Sequence, residues 1–271
     1  EPFKSLKFLK NFLHLPNIAE SWMYDNVKGD IKIEELYAEY DLINNHIIEN
    51  SIQGKGQKKK KKIRFHKDVD AVNTKSLDIF FKDNRLHFNL MEPMFKDKKL
   101  DGSFVLINNL TSEKNGQVDV FLKTNSKLDK DILDILKAYN ITLPIIQKNG
   151  NTQASLLMKF PYDTTKNMST YGEFFLNDAK VAINNFEFES KNAEVILDDS
   201  IIKIKNSDFK YKDMINATLN LNLDIKTLKS YGDANIKSFL IKEENKESLV
   251  EIKDKNTAID LNFNNEVSIL L

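Results

Sequence analysis

Most of the chain alternates apolar and polar residues with a period of two, which is typical of β-strands that present one apolar face. The clearest segment is 217–225, where Leu219, Leu221 and Leu223 alternate with threonine, asparagine and aspartate. The same alternation selects apolar residues in three other regions: Leu86, Phe88 and Leu90; Leu156, Met158 and Phe160; and Phe174 and Leu176. We expect all of these residues to share one continuous apolar surface.

The pattern predicts about fifteen strands joined by short turns rich in Asn, Asp and Lys. It reads 170–177 and 180–190 as separate strands, and 248–252 and 257–263 as two more. Strands that follow one another this closely favour a mainly β, antiparallel fold: a meander, a sandwich or a barrel.

Helical spacing of apolar residues predicts three helices, near 3–13, 17–27 and 128–138. The first two form an N-terminal helical segment, 1–29, ahead of a β body over 30–271 that has a soft boundary near 125–150. Three helices cannot cover the apolar face of so many strands. That face must therefore meet another sheet, close on itself, or form a groove for an apolar ligand.

Composition and motifs exclude several classes of function. The chain has 40 basic and 40 acidic side chains, so it lacks the positive field that favours nucleic acid. It has no cysteine, which excludes disulfides and thiolate chemistry. Its four histidines are isolated, and no phosphate-binding or nucleophile motif is present. We expect no catalytic residue, no metal, no cofactor and no nucleic-acid partner.

Two charged or amphipathic segments leave alternatives open. The run Lys58–Lys62 fits either an anionic partner or a solvated edge strand or loop, where lysines block aggregation. The N-terminal segment, with Trp22 and Tyr24, fits either a membrane surface or a cap packed on the first strands.

Several passages resemble the AsmA-like proteins of Gram-negative bacteria, of the YhdP type. The passage 15–42, LPNIAESWMYDNVKGDIKIEELYAEYDL, is similar to the entry segment of that family. The passages 71–93, 100–161 and 171–183 are similar to it as well. The likeness covers most of the chain and lies in the pattern of residues, without a catalytic motif.

The resemblance implies a repeating β-groove: a long twisted antiparallel sheet, curled lengthwise, polar outside and apolar inside. It implies a periplasmic module that takes part in phospholipid transport between inner and outer membrane and in maintaining the outer-membrane barrier. It also implies an inner-membrane anchor outside this sequence and possible envelope protein partners. The alternating residues agree, since their apolar rows suit phospholipid acyl chains.

Three functions remain as hypotheses from the sequence. The first is the lipid-binding or lipid-conducting module, and the second is a structural or interaction β-sandwich of an envelope protein without lipid cargo. The third and weakest is an enzyme. A closed sandwich would bury residues such as Leu156 and Met158 against one another, whereas a groove would leave them accessible.

Overall fold

The computed structural model describes residues 15–26, 31–48, 51–64, 66, 68–110, 112, 115–143, 145–183, 186–242 and 248–262. Helix α1, Asn17–Ser21, continues directly into a π-helical turn, Trp22–Asn26, and helix α2 spans Lys130–Ala138. The described ranges therefore hold two helical segments where the sequence predicted three. The predicted helix 3–13 lies outside the described residues.

Strands make up most of the described chain, which confirms the mainly β prediction. In chain order they are β1 (Lys32–Tyr37), β2 (Tyr40–Asp41), β3 (His46–Ile47), β4 (Gln53–Ile63), β5 (Val72–Lys82), β6 (Arg85–Met91), β7 (Met94–Phe95), β8 (Lys98–Lys99), β9 (Phe104–Asn108), β10 (Gln117–Ser126), β11 (Ile145–Pro161), β12 (Ser169–Ile183), β13 (Phe186–Asp198), β14 (Ile201–Tyr211), β15 (Ile215–Asp224), β16 (Lys229–Lys242) and β17 (Ser248–Asn262).

The chain divides into two compact units. Unit 1 comprises Glu1–Thr124 and Leu156–Thr170, and unit 2 comprises Asn125–Ser155 and Tyr171–Leu271. In unit 1 the strand order is β1-β4-β5-β6-β9-β10, while β2 and β3 form a separate hairpin. In unit 2 the order from β12 to β17 follows the chain. Neighbouring strands pair antiparallel in each unit, as the sequence predicted.

Two predicted breaks between strands are absent from the structure, and the predicted strand 180–190 is divided between β12 and β13. The predicted break between 170–177 and 180–190 is wrong, because β12 continues through Asp178 at a φ of 44°. The break between 248–252 and 257–263 is wrong for the same reason at Asp254, with a φ of 49°. Aspartate tolerates this left-handed conformation, so a residue typical of turns bends each strand while pairing continues on both sides.

The core of unit 1 consists of apolar rows that cross its strands in register. One row joins Ile79, Phe88, Val105 and Val120, and the next joins Phe81, Leu86, Ile107 and Val118. All eight side chains are buried. Directly paired residues of antiparallel strands project from the same face, so the two rows form one continuous apolar layer.

The N-terminal segment also contributes buried side chains. Ala19 and Met23 are fully buried. The Cγ2 atom of Ile31 lies 3.2 Å from where a Cβ on Gly56 would stand, so Ile31 packs closely against this glycine. Packing, rather than exposure of an amphipathic face, therefore accounts for the buried residues of α1 and the segment that follows it.

The lysine run lies on the second half of β4. Pairing of β4 with β1 ends at Gln57, whereas pairing with β5 continues to Ile63. Lys62 is exposed, as expected for a strand with a single described neighbour at that point. Lys58, however, pairs with Leu77 and is buried, so the run is not uniformly solvated.

Helix α2 begins where its sequence predicts and is fastened to the start of β11 within unit 2. The Asp129 carboxylate accepts a hydrogen bond from the backbone N–H of Asp131 at 3.1 Å, capping the helix. The buried Gln147 accepts from the Leu128 N–H at 2.9 Å and from the Thr152 hydroxyl at 2.7 Å. These bonds satisfy polar groups that burial would otherwise leave unpaired.

The opposite face of unit 1 carries a half-buried histidine. The ring of His87 lies edge-on to Phe104, with centroids 5.1 Å apart. Its buried Nε2 atom makes no hydrogen bond to any described residue. Burial without a partner disfavours the charged imidazolium, so desolvation lowers the pKa of His87 below its ordinary value of 6.5.

Truncation of a buried side chain in the apolar rows of unit 1 should destabilise the protein. Ile107 is fully buried, so we expect Ile107→Ala to lower the free energy of unfolding by about 2–5 kcal/mol. The matched control is Ile43→Ala, because Ile43 is exposed, and its effect should stay within about 0.5 kcal/mol. Urea denaturation followed by circular dichroism measures both, and equal effects would contradict the assigned core.

Protonation of His87 should weaken the fold as the pH falls. The unfolded chain takes up this proton near pH 6.5, whereas the folded chain resists it, so stability is lost as pH drops through that value. We expect His87→Phe to lose less stability than the wild type between about pH 7.5 and pH 5.5. Urea midpoints at the two pH values test this. An equal loss of stability in the variant and the wild type would contradict the assigned contribution of His87.

Candidate functional site

Unit 2 carries an apolar face that is built in the same way as the core of unit 1. Cross-strand pairs link β12 to β13, β13 to β14 and β14 to β15 without interruption. Two rows result, and we call their members the unit 2 apolar face: Phe174, Val195, Ile204 and Leu221 in one row, and Leu197, Ile202 and Leu223 in the other.

The other face of the same strands is polar. Lys203 lies 2.8 Å from Asp198, and Lys205 lies 3.5 Å from Glu194. Hydrogen bonding and the charge of Asp198 raise the pKa of Lys203, which keeps that ammonium charged. Asn222 is the direct cross-strand partner of Lys203. The sheet is therefore apolar on one side and mainly polar on the other at these strands, with apolar residues such as the buried Ile196, the partner of Lys203, on the polar side.

Exposure varies along the unit 2 apolar face. Phe174, Leu197 and Ile202 are buried, whereas the remaining members are half-buried: Val195, Ile204, Leu221 and Leu223. In β15 the leucines are half-buried, as Asn220 and Asn222 on the polar side are. Part of the apolar row on β15 is therefore accessible to solvent.

A bulge bounds this open row. The register between β14 and β15 shifts between Ile204 and Ser207, and Asn206 adopts a φ of 40°. The Ser207 hydroxyl accepts a hydrogen bond from the Glu194 N–H at 3.0 Å, and the Asn206 N–H donates to Asn220 Oδ1 at 2.8 Å. Bulges bend strands, so the row changes direction after Ile204.

Gly232 extends the row onto β16 as the partner of Leu221. A Cβ at this position would lie 2.0 Å from the backbone oxygen of Asn220. Only glycine therefore permits the observed approach of β16 to β15, and it leaves no side chain over the apolar row beside Leu221.

The predicted site residues fall into both units. Unit 1 holds Leu86, Phe88, Leu90, Leu156 and Met158, all buried, and the half-buried Phe160. Unit 2 holds Phe174 and Leu176, both buried, and the half-buried Leu219, Leu221 and Leu223. Phe174 and Leu221 do belong to one row within unit 2. A single groove that includes residues of both units stays a prediction.

Sequence reasoning missed the members contributed by β13 and β14. Val195, Leu197, Ile202 and Ile204 link Phe174 to the leucines of β15, yet they were not selected as site residues. Their signal was the same alternation, confined to short segments between charged residues. Cross-strand register, which the sequence does not give, reveals their place.

Two kinds of feature are absent from the described residues. No group of three or more histidine or acidic side chains there is arranged to hold a metal ion. In the same part of the chain, no helix has the length and apolar character needed to cross a membrane.

Comparison with known proteins gives one family. The family model described as YhdP protein matches residues 14–266, and the match includes every strand from β1 to β17. No curated protein and no solved structure matches the chain. Because the family model covers nearly the whole sequence, the chain belongs to the YhdP family.

Proposed function

We propose that this chain is a lipid-binding and lipid-conducting module of the cell envelope, and that it works in phospholipid transport between the inner and outer membranes. Family membership supports an envelope protein of the AsmA-like lipid-transport type. The proposal extends this to a periplasmic location, attachment to the inner membrane and a contribution to the outer-membrane barrier.

The half-buried row on β13, β14 and β15 carries the proposal. Val195, Ile204 and Leu221 are paired in register and remain partly accessible. From β13 to β15 the half-buried row crosses three strands, which spans roughly 10 Å at the usual strand spacing. An acyl chain laid along it would exchange water for aliphatic contacts at about 0.8 kcal/mol per methylene.

The chemistry of the row suits passage better than tight capture. Its members are aliphatic or aromatic, whereas the ion pairs of β13 and β14 lie on the other face. Many similar weak contacts let a lipid slide from one position to the next without losing a single strong bond. We therefore propose a non-catalytic role that needs neither cofactor nor metal.

Unit 1 has a different role in this proposal. Its rows, which include Leu86 and Ile107, are buried, as expected of a packing core. This is the arrangement of the structural alternative, a β domain whose apolar faces are closed. We accordingly assign lipid binding to unit 2 and assign the stability of the β body to the rows of unit 1.

A charge placed in the open row should block lipid binding without unfolding the protein. Leu221→Asp puts a carboxylate where acyl carbons would pack, and its partial exposure keeps that carboxylate hydrated. We expect a thermal midpoint within a few degrees of wild type and at least about a tenfold loss of affinity for a fluorescent phosphatidylethanolamine. Fluorescence titration and thermal denaturation measure the two quantities.

Two variants serve as controls. Asn222→Asp adds the same charge one residue away, on the polar face and opposite Lys203, so lipid affinity should not change. Leu86→Asp adds the charge to a buried row and should unfold the chain. If Leu221→Asp unfolds like Leu86→Asp, the row is a closed core; if it is stable and binds lipid normally, the row is not the lipid site.

A further inference from the structure

The hairpin formed by β2 and β3 exposes two large apolar side chains at its tip. Leu42 and Ile43 are 86% and 94% exposed, the highest values among the exposed large apolar residues of the described chain. The hairpin forms its own two-stranded sheet and makes no ladder with the larger sheet. It is therefore a projecting element, and water solvates almost all of its two apolar side chains.

The tip is held in place by its own polar residues. The Asp41 carboxylate accepts hydrogen bonds from the N–H of Ile43 at 2.8 Å and of Asn44 at 3.0 Å, and from the Asn44 side chain at 2.7 Å. These bonds lower the pKa of Asp41, so its carboxylate stays charged at neutral pH. Tyr40 is hydrogen-bonded to Asn45 across the turn. The turn thus fixes Leu42 and Ile43 in their outward orientation.

Aromatic residues follow behind the tip. Tyr40 is 50% exposed and Tyr37 is 56% exposed, and the hydroxyl of Tyr37 donates to Glu39 at 3.2 Å. Aliphatic side chains at the point, with tyrosines behind them, match the order of polarity from the acyl region of a bilayer to its interface, and the charged Asp41 beside the tip limits insertion to the interfacial layer.

We propose that this hairpin tip inserts into the interfacial layer of an electrically neutral lipid bilayer. The segment 31–48 has four acidic residues against one lysine, which disfavours an anionic surface. A tip of two side chains is also far smaller than the ~800 Å² that each partner buries in a stable protein interface. A fluid apolar phase accepts such a convex projection without a complementary pocket.

The membrane contact stands apart from the proposed transport function. Leu42 and Ile43 lie in unit 1, whereas the unit 2 apolar face lies on β12 to β15. The tip could dock the chain on a bilayer even if unit 2 bound no lipid. Vesicle binding by the tip and lipid affinity of unit 2 are therefore separate quantities, and either can be absent without the other.

Flotation of the full chain with phosphatidylcholine vesicles tests the insertion. We expect the double variant Leu42→Asn/Ile43→Asn to bind at least about tenfold more weakly than wild type, since it loses both aliphatic side chains that would insert into the bilayer. The matched control is Met214→Asn/Val250→Asn, which removes two other exposed apolar side chains and should bind normally. Unchanged thermal midpoints in both variants would show that folding is intact.

A fluorescent reporter locates the contact. In a Trp22→Phe background, tryptophan at position 42 (Leu42→Trp) should shift its emission to the blue on vesicle addition and be quenched by brominated phosphatidylcholine. Binding should also persist at about 0.5 M NaCl, because apolar insertion is not screened by salt.

Four results would overturn the proposal. They are failure of the wild type to bind phosphatidylcholine vesicles, equal binding by the tip and control double variants, an unshifted emission at position 42, and loss of binding at high salt. The last result would assign the contact to electrostatic attraction.

Discussion

Cross-strand register is the constraint on which the rest of this structure depends. Because side chains alternate between the faces of a strand, slipping one strand by a single residue would move its entire apolar set into water. Register places Leu86 between Phe81 and Ile107 in unit 1, and Ile204 between Val195 and Leu221 in unit 2. The apolar layers, the polar face and the bulge at Asn206 all follow from these pairings.

The same alternation has two outcomes in one chain. In unit 1 the rows through Phe88 and Ile107 are buried, so they contribute to stability as a core does. In unit 2 the row through Ile204 and Leu221 is only half-buried. A solvated apolar surface contributes less to folding stability than a buried one, but it remains available to a ligand that displaces the water. A stabilising core in unit 1 and a lipid-binding face in unit 2 would together account for both kinds of row.

Local sequence predicted much of the fold but little of its exposure. Alternation gave the antiparallel β class, and helical spacing of apolar residues near 128–138 gave α2, because both signals are local. The strand breaks predicted near Asp178 and Asp254 are wrong, because aspartate there bends a strand that stays paired. Leu86 and Leu221 have equivalent patterns, so their different burial depends on distant segments that cover one and not the other. Leu42 alternates with Glu39 and Asp41 as a residue of a half-buried strand would, yet it is 86% exposed.

The most direct test of the central claim is photo-crosslinking from within the open row. Benzoylphenylalanine replaces Leu221 in one variant and Asn222, its neighbour on the polar face, in the other. After irradiation in the cell envelope, mass spectrometry of the purified protein should find a phospholipid adduct at position 221 and none at position 222. Equal labelling of the two positions, or no phospholipid adduct at 221, would contradict the account.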